Sequence, residues 1–489
     1  MGVIQKLTWF GIGSIAMASL AITGVHAATL TVAQDGSGDY ATIQEAIDAA
    51  AEGDIVEIAA GTYEEDISVG DLNAPPTMKN NLTVRAAEGA DVEIILQNEA
   101  NRVGSLPLDF GGADVDGFFI NGDGVVIEGL RIVQPTTVTN ELAEAPHAAA
   151  MSIVSPNVTI RDCEIIGSET FDGDIIGILI ANLDIAAAQA GSPNLAQNIT
   201  IEDCHFEGNN FALATNNFLA ALGVPVPDPS ASIIDTRFFN NGTGVEMDDG
   251  TMVVDGCDFF NNGTGISVSE HEITITDTII MNSTGYGIES ETGDIDEDSP
   301  QDVPSVTLNE VAVFNNGSED DDAGMGIESG QFNTSNSIFA GNTPVNVFLN
   351  PDGPRDLVAN FDQCDFYRST GGFGIRTAGD PTGVIDIIIR NSNIVDDNGI
   401  DNQAGVIALV QVEYSNLFVS GEQFGGDPAA FETSNILNVD PLYVNPVIDD
   451  IEAADFSLQP DSSVAEAGAD GTFIGSMGVS TSVENWMLN

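Results

Sequence analysis

A short unit of sequence recurs along most of this 489-residue chain. Each copy contains alternating apolar residues, a polar pair, a small residue, another apolar residue and then Asn, and copies begin at Ile199, Met252, Ile273 and Ile387. Alternation of apolar residues is typical of β-strands, because successive side chains point to opposite faces of a strand. The chain is therefore predicted to consist of many short strands in regular succession.

The spacing of the copies predicts how these strands are arranged. If the small residue of each copy is used as a register mark, the shortest steps are 21 residues, from Thr236 to Cys257 and from Cys257 to Thr278. A coil of that length cannot bury its apolar face alone, whereas parallel stacking of coils buries it and places equivalent residues about 4.8 Å apart. The predicted fold class is all-β, a single-stranded right-handed parallel β-helix of about 10–13 coils with a short N-terminal capping helix.

Stacking converts each position of the repeat into a column of like side chains. The apolar position after the small residue predicts one inward column, which comprises Phe206, Phe238, Phe259, Ile280, Val313, Phe339, Phe366 and Ile394. The Asn positions that follow predict a second column at a turn, because Asn tolerates a left-handed backbone and can bond its stacked neighbours. Those residues are Asn209, Asn240, Asn241, Asn261, Asn262, Asn282, Asn315, Asn316 and Asn342.

All four cysteines fall at the register mark, where they alternate with Thr and Ser. That position points inward, so Cys163, Cys204, Cys257 and Cys364 are interpreted as buried thiols rather than as redox or metal-binding groups. Cys163 and Cys204 are predicted on neighbouring coils and could form a disulfide. Cys204 and Cys257 have a coil between them, which is too far for a disulfide.

Residues 1–27 are typical of a signal peptide. Lys6 is their only charge, mostly apolar residues follow it, and Val25 and Ala27 place small residues where a signal peptidase cleaves. The apolar run is shorter than the roughly 20 residues that span a bilayer, and no later segment is apolar for long enough. The mature chain is therefore expected to have no membrane span and to be secreted or extracellular, with the periplasm and the cell surface as alternatives.

The remaining sequence divides at the limits of the repeat. Residues 28–54 are predicted to form an N-terminal cap, since Thr42 and Glu45 make a possible capping box before an amphipathic helical segment that ends at Ala50. Residues 55–439 are predicted to form the β-helix. Residues 440–479 lose the repeat and are predicted to cap the C-terminal end, and residues 480–489 are predicted to form a flexible tail.

Acidic residues dominate the charge of the chain. Asp and Glu number 76 against 11 Lys and Arg, which gives a formal net charge of −65. Such a surface repels polyanions, so nucleic acid is excluded as a partner. Self-repulsion at this charge density is costly in dilute buffer, and Lys79 is the only lysine after residue 27, so the composition favours a salt-adapted, halophilic protein.

Two insertions are strongly acidic. The first contains Asp294, Asp296 and Asp298, and the second contains Asp320, Asp321 and Asp322. They fall in consecutive coils and could face one another as a Ca²⁺ site with oxygen ligands only. Solvated surface loops are the alternative. Ca²⁺ is thus a possible cofactor, and no organic cofactor is expected.

Two stretches near the start, together with the repeat, resemble a known family. Val32–Ile43 and Gly61–Glu65 are similar to the opening of a pectin methylesterase, and the repeat over about residues 55–420 resembles the pectate-lyase-like right-handed parallel β-helix superfamily. The resemblance implies an extracellular polysaccharide, expected to be acidic, as the partner. It does not extend to chemistry, because the strings that carry catalysis in pectin methylesterases, polygalacturonases and alginate epimerases do not occur here.

The strand after the Asn turn predicts an outward row along which a polymer can lie. The row comprises Glu246, Ser267, Glu289, Glu328, Asn346 and Arg376. Glu289 and Glu328 are predicted on adjacent coils about 5 Å apart, where two carboxylates share a proton, bind a cation or act as acid and nucleophile of a retaining glycosidase. Arg376 would supply a base or a charge clamp. These three are the predicted catalytic residues, and the predicted substrate-binding residues are Glu246, Asp248, His271, Tyr286, Asn346 and Tyr367.

Two classes of function fit these features. The first is a polysaccharide lyase, glycoside hydrolase or epimerase, and the second is a non-catalytic extracellular scaffold or adhesion protein. The missing motifs favour the second class, and the resemblance in fold favours the first. The sequence leaves this choice open, and it also leaves open whether the chain is a monomer or an oligomer.

Salt adaptation predicts that the melting temperature of the purified protein rises with NaCl concentration. Between about 0.1 M and about 1 M salt the Debye length falls from about 10 Å to about 3 Å, which screens repulsion among the carboxylates. Differential scanning calorimetry measures the effect, and a neutral osmolyte at equal osmolality separates charge screening from preferential exclusion. A melting temperature that stays constant or falls with salt would contradict the prediction.

Overall fold

The computed structural model of the protein describes most of the chain. The described residues are 27–70, 78–97, 115–134, 147–168, 174–182, 195–221, 223–269, 271–290, 304–318, 322–351, 357–379, 384–403, 407–426, 430–448 and 453–477. The predicted signal peptide, apart from its last residue, and the predicted tail lie outside these ranges. Among the described residues, the helical elements are α1 (Ile43–Ala49), α2 (Phe218–Ala221) and a 3₁₀ turn at Ala469–Gly471.

Strands account for most of the described residues. From the N-terminus they are β1 (Thr29–Val32), β2 (Ile55–Ile58), β3 (Gly61–Glu64), β4 (Ile67–Val69), β5 (Thr83–Ala86), β6 (Val92–Ile95), β7 (Val115–Ile120), β8 (Val126–Glu128), β9 (Arg131–Val133), β10 (His147–Ile153), β11 (Thr159–Arg161), β12 (Glu164–Ile166), β13 (Asp174–Ala181), β14 (Ile199–Glu202), β15 (His205–Glu207), β16 (Phe211–Asn216), β17 (Ser230–Ile234), β18 (Arg237–Phe239), β19 (Thr243–Met247), β20 (Thr251–Asp255), β21 (Asp258–Phe260) and β22 (Thr264–Val268). They continue as β23 (Glu272–Thr276), β24 (Ile279–Met281), β25 (Ile288–Ser290), β26 (Ser305–Asn309), β27 (Ala312–Phe314), β28 (Ala323–Ile327), β29 (Gly330–Ser335), β30 (Ile338–Ala340), β31 (Val345–Leu349), β32 (Leu357–Asp362), β33 (Asp365–Tyr367), β34 (Phe373–Thr377), β35 (Val384–Arg390), β36 (Asn393–Val395), β37 (Asn398–Asn402), β38 (Ile407–Glu413), β39 (Asn416–Leu417), β40 (Phe424–Gly426), β41 (Phe431–Ser434), β42 (Tyr443–Asn445) and β43 (Asp455–Leu458).

Within the described residues, three long sheets run the length of the molecule. Sheet A has 15 strands, namely β1, β2, β5 and then every third strand to β41. Sheets B and C have 13 strands each, every third strand from β3 to β39 and from β4 to β40. Each coil thus gives one strand to each sheet, and the next coil repeats the path in parallel register. The predicted right-handed parallel β-helix is confirmed.

The predicted apolar column forms the centre of the core. Cα register runs from Phe206 through Phe238 and Phe259 to Ile280, and it continues without a break to Ile394. The rings of Phe206 and Phe238 stack with centroids 5.0 Å apart, and those of Phe238 and Phe259 with centroids 4.5 Å apart. Each of these side chains is fully buried, so the column is one continuous apolar stack.

The Asn residues form two columns at the turn between sheets B and C. Asn240 and Asn261 adopt a left-handed backbone, with φ of 54° and 56°, which turns the chain. The residue that follows each of them, Asn241 or Asn262, is buried, and its side chain forms hydrogen bonds with the equivalent Asn on a neighbouring coil. The side-chain oxygen of Asn241 accepts hydrogen bonds from the backbone N–H of Asn209 (3.0 Å) and from its side-chain amide (3.1 Å), and the amide of Asn241 donates to the side-chain oxygen of Asn262 (3.2 Å). The amide ladder therefore satisfies polar groups that the stack would otherwise bury unpaired.

The register-mark column is a ladder of small side chains inside the turn between sheets A and B. The Thr278 hydroxyl accepts a hydrogen bond from the Cys257 N–H at 3.3 Å and donates to the Thr276 carbonyl at 2.7 Å. All four cysteines are buried free thiols, so no disulfide joins Cys163 and Cys204. Burial raises the pKa of Cys257 to about 12, which leaves its thiol protonated and unreactive at neutral pH.

The N-terminal helix forms where the sequence predicts it. The Thr42 hydroxyl accepts a hydrogen bond from the Glu45 N–H at 3.2 Å, so Thr42 is the N-cap. Ile43, Ala46 and Ile47 are buried against the first coil, where α1 contacts β1, β2 and β4. The Glu65 carboxylate accepts a hydrogen bond from the Ile43 N–H at 2.9 Å, which fastens the start of the helix to the coil that it covers.

The segment after residue 440 lies beside the stack. The sequence predicts that this segment closes the last coil, but its described residues pack on the outer face of sheet B. Phe456 is fully buried there, with its ring edge-on to those of Phe314 and Tyr367. Strands β27, β30 and β33 expose apolar residues on that face, and their burial explains why the segment covers these coils rather than the end.

A buried carboxylate fastens this segment to sheet B. Asp365 is fully buried on β33 and accepts hydrogen bonds from the Ser476 N–H (2.7 Å), the Asn393 side-chain amide (2.8 Å) and the Tyr443 hydroxyl. Burial raises the pKa of Asp365, and the hydrogen bonds from Ser476 and Tyr443 oppose that rise. Four donors, counting the Ser476 hydroxyl, converge on two oxygens, so removal of the carboxylate would break four hydrogen bonds in a buried site.

None of the helices among the described residues is long and apolar enough to cross a membrane.

The Asn ladder predicts that Asn241→Ala is strongly destabilising. The substitution leaves the Asn209 N–H and the Phe206 carbonyl without their partner, at a cost of about 2–4 kcal/mol. Urea unfolding followed by circular dichroism measures this change. Gln403→Ala, at an exposed site beyond β37, is the matched control, and equal midpoints for the two variants would contradict a structural role for the ladder.

Candidate functional site

The predicted outward row lies on sheet C, and its first half is confirmed. Glu246, Ser267 and Glu289 are in register on successive coils, and the Ser267 hydroxyl donates to the Glu246 carboxylate at 3.3 Å. Beyond Glu289 the row continues through Gly326 and Phe348. Its second half therefore differs from the prediction, which places Glu328 and Asn346 at these positions.

Glu328 lies two residues beyond the row. Its N–H donates to the Ser290 carbonyl at 3.1 Å, and it follows the register pair of Ser290 and Ile327, so Glu328 is not in register with Glu289. The two residues are on adjacent coils and are offset by two positions along the strand direction. Their Cα atoms are therefore about 8 Å apart. The prediction that Glu289 and Glu328 occupy directly opposite positions on adjacent coils is therefore wrong, and the carboxylate pair stays a prediction.

Asn346 and Tyr367 are buried, so the prediction that they bind substrate is wrong for both. Asn346 is fully buried at the corner between sheets B and C, where its side-chain oxygen accepts a hydrogen bond from the Asn342 amide at 2.9 Å. Tyr367 is on sheet B beneath the C-terminal segment, with its ring edge-on to that of Tyr443.

Arg376 is on the row but far from the glutamates. Three strand spacings, roughly 14 Å, separate its Cα atom from that of Glu289. Its Nε lies 3.6 Å from the Asp401 carboxylate, and its guanidinium covers the Phe373 ring at 5.1 Å. The three predicted catalytic side chains do not converge on one reacting atom.

Two aromatic side chains lie on the outer face of sheet C, namely Tyr286, which is among the predicted substrate-binding residues, and Phe348, which is not. Tyr286 is half-buried, and its ring rests on the backbone of Gly326, where an added Cβ would come within 2.2 Å of the ring. Phe348 is also half-buried and is in register with Gly326 on the next coil. Glycine at 326 is the local signal for this arrangement, because only a residue without a side chain leaves room for the ring.

Asp248 and His271 lie at the turn from sheet C to sheet A. The Asp248 carboxylate accepts a hydrogen bond from the Asn216 amide at 3.4 Å, which keeps it beside the row. His271 is on the other side of the turn, with its Nε2 3.2 Å from the Asp228 carboxylate. The Asn217 amide donates to the same carboxylate at 2.7 Å, so His271 belongs to a polar cluster of the turn and not to the row.

Most of the predicted metal ligands lie outside the described residues, namely Asp294, Asp296, Asp298, Asp320 and Asp321. Asp322 is described, and its carboxylate accepts a hydrogen bond from the Ser318 N–H at 2.8 Å. In the part of the chain that the structure describes, no three His, Cys, Asp or Glu side chains are grouped closely enough to hold a metal ion. The Ca²⁺ site therefore stays a prediction.

Sheet A carries a second outward array, which the sequence analysis missed. Its middle position gives a line of uncharged residues on successive coils, which we call the central column: Thr200, Ser232, Val253, Thr274, Thr307, Asn333 and Asn360. Six strand spacings make this column roughly 29 Å long. Its signal in the sequence is a hydroxyl residue between two buried aliphatic ones, as at Thr274 between Ile273 and Ile275.

A shallow depression of about 400 Å³ lies on this face. Its lining consists of Asn198, Ser230, Ala231, Ser232, Thr251, Met252, Val253, Glu272 and Thr274. Val253 is 42% exposed in the middle of the depression, between the hydroxyls of Ser232 and Thr274 on the coils before and after it. An apolar surface between rows of hydroxyls matches a sugar ring, which has C–H groups on its faces and hydroxyls at its edge.

The depression offers binding groups rather than an acid–base pair. Among the described residues that line it, Glu272 is the only carboxylate, whereas hydrolysis of a glycosidic bond ordinarily uses two. Further along the column, the Asn360 amide donates to the Asn333 side-chain oxygen at 2.9 Å, so adjacent coils orient each other's polar groups. A fixed array of donors and acceptors loses little entropy when a ligand binds.

Comparison with known proteins places these features in context. No family model matches the sequence. A curated relative, the putative pectinesterase/pectinesterase inhibitor 38 of Arabidopsis thaliana, is 28% identical over 215 residues, which are 40% of this chain and 42% of the relative. The chain therefore spans less than half the length of that relative.

Solved structures are similar over most of the chain at low sequence identity. Pectate lyase Pel9A is 10% identical with a TM-score of 0.36, and the match covers 93% of this chain and 98% of that one. The Dettilon tailspike protein is 12% identical with a TM-score of 0.43, and the match covers 84% of this chain and 69% of that one. The A-module of the Azotobacter vinelandii mannuronan C-5 epimerase AlgE4 is 14% identical with a TM-score of 0.38, and the match covers 81% of this chain and 95% of that one. The sheet topology decides the fold. This chain is a right-handed parallel β-helix. As in any such β-helix, the fold provides outer faces and does not by itself specify a reaction.

The contact between Tyr286 and Gly326 gives a test of the sheet C register in this β-helix. Gly326→Ala should lower the melting temperature, because the new Cβ would lie 2.2 Å from the Tyr286 ring. In a Tyr286→Ala background the same substitution should be neutral or stabilising, since Ala in a strand is favoured over Gly by about 0.5–1 kcal/mol. Thermal unfolding of the four proteins measures the coupling. Equal destabilisation in both backgrounds would contradict the register.

Proposed function

We propose that this protein binds an extracellular carbohydrate polymer along the outer face of sheet A. The observation that carries the proposal is the depression around Val253, which lies on a column that presents hydroxyl or amide side chains on six of seven successive coils. A polymer aligned with the helix axis would meet a similar set of groups on each coil. The repeating units of the polymer would therefore meet repeating groups of the protein.

The flatness of the face also favours a polymer. Ser230, Thr251 and Glu272 form a second outward line beside the central column, so the binding surface is at least two side chains wide. The depression is shallow and open, and it does not enclose a small molecule in the way that a deep pocket does. Affinity would come from many weak contacts along the face. A long ligand supplies them, and a single sugar does not.

Two further features support a carbohydrate ligand outside the cell. The relative named as a pectinesterase matches part of this chain, and its name points to a carbohydrate substrate. The signal-like residues 1–27 favour export. Binding without catalysis is the better-supported mode, since Glu272 is the one carboxylate among the described residues that line the depression, whereas hydrolysis of a glycosidic bond ordinarily uses two.

The proposal predicts that Ser232→Ala/Thr274→Ala weakens polysaccharide binding by about tenfold or more. Each lost hydrogen bond contributes about 0.5–1.5 kcal/mol, and 1.4 kcal/mol corresponds to tenfold in Kd. Affinity electrophoresis in gels containing a neutral β-glucan, a xylan or a galacturonan measures the change. Reducing-end release that disappears in Glu272→Gln would instead show catalysis at this face.

The matched control is Thr284→Ala/Thr370→Ala. These two threonines are exposed at the turn between sheets B and C, away from the proposed face. The control should bind as tightly as the unmodified protein. If the sheet A variant keeps full affinity for every polymer that binds, or if both variants lose affinity equally, the proposed face is wrong.

A further inference from the structure

We infer that the polymer bound on sheet A is neutral and not acidic. The inference rests on the proposed function and adds the chemical class of the ligand. It also departs from the acidic polysaccharide that the family resemblance suggests. The placement of the few described cations of this chain supports a neutral ligand.

The described arginines are occupied by neighbouring carboxylates. Six of them form ion pairs, as Arg85 does with Glu57 at 2.8 Å and Arg161 with Glu128 at 2.8 Å. The seventh, Arg368, lies over the ring of Tyr367 at 5.0 Å, beside the C-terminal segment. Recognition of a carboxylate-bearing sugar ordinarily uses an arginine or lysine that is available to the ligand. No described arginine or lysine lies among the residues that line the depression.

The charges that border the face are negative. Glu272 lies in the lining, and Glu202 and Asp255 are in the outward line on the other side of the central column. Arg161 and Arg390 are in that same outward line, but on coils away from the depression, and each is paired with a glutamate. A polyanion would therefore approach carboxylates with no compensating cation, and like charges at an interface oppose binding.

Bridging by a divalent cation does not remove this obstacle within the described residues. A cation that joins two carboxylates needs several oxygen ligands from the protein, whereas Glu272 is the single carboxylate of the lining. No described group of three or more His, Cys, Asp or Glu side chains is suited to a metal ion. Hydroxyl and amide groups, by contrast, exchange hydrogen bonds with sugar hydroxyls at no electrostatic cost.

The test uses pairs of polymers that share a backbone and differ in charge. Suitable pairs are a galacturonan with its fully methyl-esterified form, and carboxymethyl cellulose with hydroxyethyl cellulose. For every backbone that binds, the neutral form should bind at least about tenfold tighter than the acidic form at about 0.1 M NaCl. Raising the salt to about 1 M should narrow that gap, because screening weakens the repulsion of the acidic form, and should change the Kd of the neutral form by less than about threefold.

A variant that adds a positive charge to the depression tests whether charge repulsion causes the preference for a neutral polymer. Thr274→Arg adds a cation to the depression, so it should improve binding of the acidic form relative to the neutral form about tenfold at low salt and lose that gain at high salt. Thr284→Arg adds the same charge at the exposed turn between sheets B and C and should leave the ratio of acidic to neutral binding unchanged.

The outcomes separate the two proposals. Tighter binding of the acidic form by the unmodified protein, abolished by Ser232→Ala/Thr274→Ala, would overturn the neutral ligand and keep the sheet A face. Binding that the same variant leaves intact would overturn the face itself. Absence of binding to every polymer would also overturn the proposed function, and with it the inference that rests on it.

Discussion

Parallel stacking at a fixed register is the constraint on which the rest of this structure depends. Each position of a coil meets its own counterpart about 4.8 Å away on the coils before and after. Side chains that pair with their own kind are therefore favoured, as the phenyl ring of Phe238 pairs with those of Phe206 and Phe259. Asn241 does the same with hydrogen bonds, accepting from Asn209 and donating to Asn262. Like side chains thus pair between adjacent coils in both places, by aromatic stacking in the core and by hydrogen bonding at the turn.

The same rule penalises charge, because like charges on adjacent coils repel. Early coils avoid the penalty by alternating sign, so that Glu57, Arg85, Glu128 and Arg161 follow one another in one outward line of sheet A. Nine arginines cannot balance 76 acids in this way. Later coils place uncharged residues such as Thr276, Asn309 and Ser335 in this line, and the central column of sheet A is uncharged over the same coils. The neutral face and the scarcity of unpaired cations are therefore two consequences of stacking an acidic chain.

The inward half of the fold is predictable from sequence, because burial allows few residue types at each position. The column from Phe206 to Ile394 was predicted residue by residue, and the structure confirms it. The outward row failed at Glu328 and Asn346 by two residues, a shift that changes the stacked neighbour and, at Asn346, places the side chain in the buried corner between sheets B and C. Gly326 removes the outward side chain that marks the register there, and Tyr286 occupies the space. The position of the C-terminal segment could not be predicted either. Outward apolar residues such as Phe314 indicate that another segment covers them, but they do not indicate which one.

The proposed binding face has no motif, and the physics of the fold explains why. An enzyme site concentrates unlike groups at one point, so its residues stand out as a cluster of charged or nucleophilic side chains. A stacked coil distributes like groups along a line, and each coil adds one ordinary hydroxyl or amide, such as Thr274 or Asn333. No single residue then carries the signal. What identifies the face is the absence of charge over successive coils in a chain whose net charge is −65, a contrast that appears only after the register has been established. Loss of one hydroxyl should accordingly weaken binding in proportion to its share of the line, without abolishing it.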